Sequence, residues 1–151
     1  YQITVLTDGT EKKLLAENSD TLKKSEGSLL KAGDIIQYKT NSDNEITSIR
    51  LLFDISKKTG ESKNTPADDF TTVYGKVDKI FQSSINVSVN GASENYTIPE
   101  DCKIYSIDTT KTKNNISTAS KSDIYVYDES DDNRVFITSY KDTVKEIVIV
   151  K

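Results

Sequence analysis

Apolar residues in this chain recur at every second position rather than every third or fourth. Ile3, Val5 and Thr7 alternate with polar neighbours, and so do Ile85, Val87 and Val89. That period puts one face of an extended strand against a core and the other against water. Asp8-Gly9 follows the first run and Asn90-Gly91 the second. Both dipeptides accept the positive φ angles of a two-residue hairpin turn. Return strands are therefore expected over residues 12–16 and 94–98, the second ended by Pro99, which has no N–H for a ladder. Further strands are expected over 35–38 and 46–53, with Asn41-Ser42-Asp43-Asn44 as the turn between them. The pair Leu29-Leu30 reads as a single helical turn that Gly33 stops. Later runs at 103 onward, 124–127, 134–138 and 144–150 also read as strands. No long helix is expected, because a 3.6-residue period is absent.

The pattern occurs twice. Laid over one another without a gap, residues 2–22 and 84–104 put Ile3 on Ile85, Val5 on Val87, Leu14 on Tyr96, Ala16 on Ile98 and Leu22 on Ile104. Past that point Gly33-Asp34-Ile35 falls on Ser122-Asp123-Ile124, and Tyr38 falls on Tyr127. Ile46 and Ile49 fall on Val144 and Ile147. The second copy carries extra residues in the polar stretch 106–116 and again between its last two matched strands. Insertions confined to polar turns are what loop variation on a fixed scaffold produces.

Residues 55–69 are polar, with Gly60 and Pro66, and read as a linker. Residues 70–81 then open the second copy. Val73, Gly75, Val77 and Ile80 suggest a bent strand with Gly75 at a bulge or a barrel corner. The first copy has no counterpart to it. It is expected to lack a strand or to borrow one, leaving an edge at residues 1–7. The fold class is therefore all-β, with two tandem, small, partly closed β-barrels, SH3-like or OB-like, of about five or six short strands each. The expected division is a first, N-terminally incomplete repeat at 1–54, a linker at 55–69 and a second repeat at 70–151. Repeat equivalence predicts matched burial of Ile3, Val5, Leu14, Ala16, Leu22, Ile35 and Ile49 with Ile85, Val87, Tyr96, Ile98, Ile104, Ile124 and Ile147.

Composition changes this picture little but narrows the chemistry. The chain has 151 residues, 34% hydrophobic and 29% charged, with a net charge of −4. An acidic surface of mixed sign argues against nucleic acid as a partner. The lysines are scattered, as in Lys12-Lys13, Lys23-Lys24 and Lys57-Lys58, and read as solvated surface. No apolar run is long enough for a membrane span. Histidine and tryptophan are absent. That removes the Ser-His-Asp triad and every His-bearing metal site. The single cysteine, Cys102, has no histidine to activate it and reads as a structural or half-exposed thiol. No glycine-rich phosphate loop occurs. No catalytic, cofactor-binding or metal-ligating residue is nominated, and no cofactor is expected.

Three features remain as candidates for binding. The acidic loop Asp128-Glu129-Ser130-Asp131-Asp132-Asn133 offers hard oxygen ligands for calcium, yet departs from the EF-hand pattern at Asn133 and Ser139. Tyr125 and Tyr127 are expected on one strand face, where they would stack on sugar rings or pack as barrel wall. Asn86, Asn95 and Asn115 open sequons of the glycosylation type.

The stretches Val73-Tyr74-Gly75-Lys76-Val77-Asp78-Lys79-Ile80, Leu30-Lys31-Ala32-Gly33-Asp34-Ile35-Ile36-Gln37-Tyr38, Asp123-Ile124-Tyr125-Val126-Tyr127-Asp128 and Val144-Lys145-Glu146-Ile147-Val148-Ile149-Val150 form a recognisable unit. It resembles repeat modules of large Gram-positive, clostridial-type cell-surface proteins that carry S-layer homology segments. The S-layer homology segment itself is absent from this sequence. The resemblance implies a non-enzymatic, extracellular structural or spacer module of the cell surface or cell wall. Its expected partners are other envelope proteins or neighbouring repeats. The alternative is a carbohydrate-binding module for cell-wall or plant polysaccharide, and a weaker one is an accessory domain of a larger hydrolase.

Overall fold

The computed structural model describes residues 1–60, 64–65, 69–113 and 115–151. It is all-β, and helix among the described residues is limited to two 3₁₀ turns, Ser19–Leu22 and Lys121–Asp123. The chain divides into two units, Tyr1–Thr59 and Gly60–Lys151. The division falls within the stretch read as a linker, part of which lies outside the described residues. Ile55, at the start of that stretch, is buried, and its N–H donates to Asp34.

In the first unit β1 (Gln2–Thr7) and β2 (Thr10–Ala16) form the expected hairpin. Asp8 and Gly9 take φ of 50° and 79°, which is why this dipeptide stands there. β3 (Ile35–Thr40) and β4 (Glu45–Asp54) form a second hairpin. Its turn is held by the Asn41 side chain, which accepts from the N–H groups of Asp43 and Glu45. The end of β2 runs parallel to the start of β4, so the order is β1-β2-β4-β3 and the sheet is mixed. The helical turn expected at Leu29-Leu30 is at Ser19–Leu22 instead, where Asn18 caps it by accepting from the Thr21 N–H. Leu29 is exposed and makes only a single bridge to Lys23.

Of two short strands near the boundary, β5 (Thr59–Gly60) pairs with β4 and β6 (Asn64–Thr65) pairs with the first long strand of the second unit. Its strands are β7 (Phe70–Ile80), β8 (Ser84–Val89), β9 (Ala92–Thr97), β10 (Lys103–Asp108), β11 (Asn115–Ala119), β12 (Arg134–Tyr140) and β13 (Thr143–Val150). They order as β11-β10-β13-β12-β7-β8-β9, and the β10–β13 pair is parallel. Asn90 and Gly91 repeat the first turn, with φ of 51° and 83°. Apart from a short pairing of its start with β6, β7 serves two longer neighbours. Its first half pairs with β12 and its second half with β8. The ladder bulges between Val77 and Lys79, so the bulge sits at Asp78 and not at Gly75. Gly75 marks a close approach of strands: a Cβ there would collide with the Ser88 carbonyl oxygen and meet Val87 at 2.8 Å.

The expected strand at 124–127 is not formed. Asn133, itself buried, replaces the ladder with its side chain. Its amide donates to the carbonyls of Tyr125 and Val126, and its oxygen accepts from the Asp128 N–H. The place beside β13 is taken by β12. Ile137 lies opposite Ile147, as Tyr38 lies opposite Ile49 in the first unit. The structural counterpart of β3 is therefore β12. The match of Tyr38 to Tyr127 is corrected to a match of Tyr38 to Ile137.

Burial is not matched between the units. In the second, Ile85, Val87, Ile98, Ile104, Ile124 and Ile147 are buried and Tyr96 packs against them. In the first, only Ala16 and Leu22 of the seven expected positions are buried, and Ile46 joins them. Ile3, Val5, Leu14, Ile35 and Ile49 are half-buried. Ile85→Ala should cost roughly 2–5 kcal/mol. Ile3→Ala should cost below about 1 kcal/mol, as at a partly solvated site. Urea unfolding followed separately for the two units would give both values.

Candidate functional site

A buried cluster of charge stands in the first unit. The Lys24 ammonium lies 3.2 Å from Asp34 Oδ2 and 2.9 Å from Asp54 Oδ1. All three side chains are at most 8% exposed. Lys24 was expected on the solvated surface, beside Lys23, and the structure corrects this. Nothing in the local sequence separates the two lysines, because the partners of Lys24 are remote in the chain. Further donors complete the cluster. Asp34 accepts from the N–H groups of Lys31 and Ile55, at 2.7 and 3.0 Å, and Asp54 accepts from that of Ser56 at 2.9 Å. Every buried polar side-chain atom among the described residues has a partner. Burial alone would depress the Lys24 pKa, but Asp54 and Asp34 outweigh it and hold the ammonium above its usual value. Burial alone would raise Asp54, but Lys24 and the Ser56 N–H hold it below the usual carboxylate range. The cluster joins three segments and presents no open face to a ligand.

Asp34 also carries the repeat down to hydrogen bonds. Its N–H donates to the Lys31 carbonyl at 3.0 Å and its carboxylate accepts from the Lys31 N–H. Asp123 does the same with Ser120, at 2.9 and 2.8 Å.

The acidic loop uses its oxygens internally. Asp128 accepts from the N–H and hydroxyl of Ser130, at 2.9 and 2.7 Å. The hydroxyls of Tyr125 and Tyr127 donate to Asp131 and Asp132 at 3.3 and 3.0 Å, and Asp132 pairs with Arg134 at 2.7 Å. Among the described residues no group of three or more acidic or cysteine side chains is placed to hold a metal ion. Both tyrosines are half-buried, and Tyr127 has the Lys76 ammonium 4.3 Å from its ring centre. Tyr127 is thereby engaged by its own unit through both its hydroxyl and its ring.

Cys102 is half-buried, and burial first, then Glu146 and Asp101, push its thiol up to about 11. It stays protonated at neutral pH and makes a poor nucleophile.

One open groove, with a volume of about 470 Å³, lies on the second unit. Thr72, Glu94, Asn95, Tyr96, Ser139 and Asp142 are among its lining residues. They come from β7, β9 and the β12–β13 hairpin. The Tyr96 hydroxyl donates to Glu94 at 3.2 Å. Burial first, and then Glu94, push that phenol up to about 12, so it remains a donor. Hydroxyl, amide and carboxylate groups around one half-buried ring can hydrogen-bond a polyol. Sequence reading passed over this place because its residues come from separate strands. Of the residues named here, Tyr96 stood out as a core position and Asn95 as the start of a sequon, neither as part of a groove.

The chain matches no protein-family model, no curated protein and no solved structure. No helix among the described residues is long and apolar enough to cross a membrane.

Two pH-linked outcomes follow from the charge cluster. Asp54 is lowered, so its stabilisation is present above the unfolded carboxylate value of about 3.9 and lost as pH falls below it. Lys24 is raised, so its stabilisation is present below about 10.4 and lost as pH rises beyond it. The first unit should therefore weaken at both ends of the pH scale. Lys24→Ala should cost about 3–5 kcal/mol by stranding two buried carboxylates. Urea midpoints of the first unit at pH 3, 7 and 11, with and without the substitution, would check all three.

Proposed function

We propose that this chain is a non-enzymatic structural or spacer module of an extracellular, S-layer-associated bacterial surface protein. Each unit is read as one small, partly closed barrel of a tandem array. The observation that carries the reading is the repeat, which extends from the turn dipeptides to the paired carboxylate turns of Asp34 and Asp123. Arrays of this kind build length and surface from one supersecondary unit. The neighbours of such a module would be other envelope proteins or further repeats. Support also comes from the chemistry described above: the thiol is protonated, and the buried ions are locked in structure.

The reading is tested by locating the parent protein. Antibody against this chain should label intact cells, and the antigen should fractionate with the cell wall. Recovery from the cytosol alone would end the proposal. Purified chain should also leave peptide, ester and glycoside substrates unchanged, and turnover of any of them would overturn the non-enzymatic part.

A second reading, binding of cell-wall or plant polysaccharide, is favoured by the groove beside Tyr96. Affinity gels loaded with soluble polysaccharides should then retard the chain, and Asn95→Ala, at an exposed position of the groove, should weaken the retardation at unchanged fold. Equal mobility in every gel would remove this reading.

A further inference from the structure

Several strands of the second unit have no counterpart in the first, and one of them, β7, marks a binding slot. In the second unit β7 pairs with both β8 and β12. The counterparts of those two strands are β1, by the matched hairpins, and β3, by the matched pairing with β4 and β13. Among the described residues β1 pairs with β2 alone and β3 with β4 alone. Each thus has a free edge where β7 stands in the other unit. An edge of this kind accepts a further strand through main-chain hydrogen bonds, with side-chain pockets giving selectivity.

The side chains beneath the slot agree. Ile85, Val87, Val135, Ile137, Ile147 and Ile149 are buried at 0–4% exposure. Their counterparts Ile3, Val5, Ile36, Tyr38, Ile49 and Leu51 are all half-buried. Ile3, Tyr38 and Ile49 pack against the same small cluster of Ala16, Leu22 and Ile46. The free edges and the partly covered apolar face therefore belong to one place.

We infer that this slot takes up an extended peptide strand of the β7 type, supplied by another repeat of the same kind. The second unit states the chemistry that such a strand needs. It runs antiparallel to both edges, as β7 does. It carries apolar side chains on one face, as Val73 and Val77 do. It has glycine at the close approach. Gly75 faces Ser88, whose counterpart is Leu6, so a side chain there would strike the β1 backbone. In this register the residue in the place of Val77 lies opposite Val5. The one in the place of Val73 lies opposite Tyr38. The inference stands on the repeat relation and does not require the surface-protein reading.

The test uses the whole chain with the sequence FTTVYGKVDKIFQ joined directly ahead of Tyr1, so that the connection copies the one between β7 and β8. Hydrogen exchange of β1 and β3 amides should slow at least tenfold relative to the original chain, with β8 and β12 unchanged. The same fusion with valine in place of its glycine should lose most of that protection. The free peptide, added to the original chain, should protect the same two strands at saturation. Unchanged exchange in the fusion would overturn the inference, as would equal protection by the valine form. Sedimentation of the original chain supplies the remaining outcome. Concentration-dependent dimers that protect β1 and β3, and that the fusion does not dissociate, would show a strand other than the β7 type in the slot and overturn the stated occupant.

Discussion

A strand edge left unpaired lets water in to the apolar face below it, and closing such edges is the constraint on a small β unit. In the second unit β7 meets this constraint for two strands at once. It can do so because it bends, with a bulge at Asp78 and a glycine where it crosses β8. The bulged Asp78 is itself held, accepting from the hydroxyls of Ser88 and Ser93 at 3.1 and 2.8 Å. The buried cluster of Val77, Ile85, Val87, Ile137 and Ile147 lies beneath. Beside β1 and β3, where the described residues supply no such strand, equivalent residues are left half in water. Small units have little apolar surface to spare, so one strand decides how complete the core is.

The first unit compensates in a different way. Lys24, Asp34 and Asp54 tie the loop after its 3₁₀ turn, the turn before β3 and the end of β4 together through ions and their hydrogen bonds. A buried ion cluster adds little net stability, because desolvation opposes the attraction. It penalises other arrangements heavily, since each would strand a charge. The cluster therefore helps to fix which segments meet in that unit.

Much of this was legible in the sequence. Alternation located β1, β2, β8 and β9, and the dipeptides Asp8-Gly9 and Asn90-Gly91 fixed their turns, because turn chemistry and strand period are local. The four-residue turn at Asn41 was legible for the same reason. What was missed depends on distant partners. The strand expected at 124–127 gave way because the buried Asn133 amide and one bond from the Tyr127 N–H to the Val77 carbonyl satisfy that backbone without a ladder. β11 carried no signal, since its residues are nearly all exposed and an edge strand in water has no reason to alternate. Lys24 looked like its neighbour Lys23, and only the return of Asp54 across the fold distinguishes them. The groove beside Tyr96 was invisible as a site for the same reason: its walls are drawn from separate strands.

The burial of Lys24 also gives the first unit a natural cleavage clock. Trypsin must draw a lysine side chain and its flanking backbone into an extended pose before it cuts. Lys23 holds its ammonium in solvent against Asp20 at 2.6 Å, whereas the next residue keeps its ammonium inside the fold. A cut after Lys24 can occur only in molecules whose ion cluster has come apart. When reclosing is faster than cleavage, the rate of that one cut reports the fraction of molecules in which the cluster is open, in a protein carrying no label and no substitution.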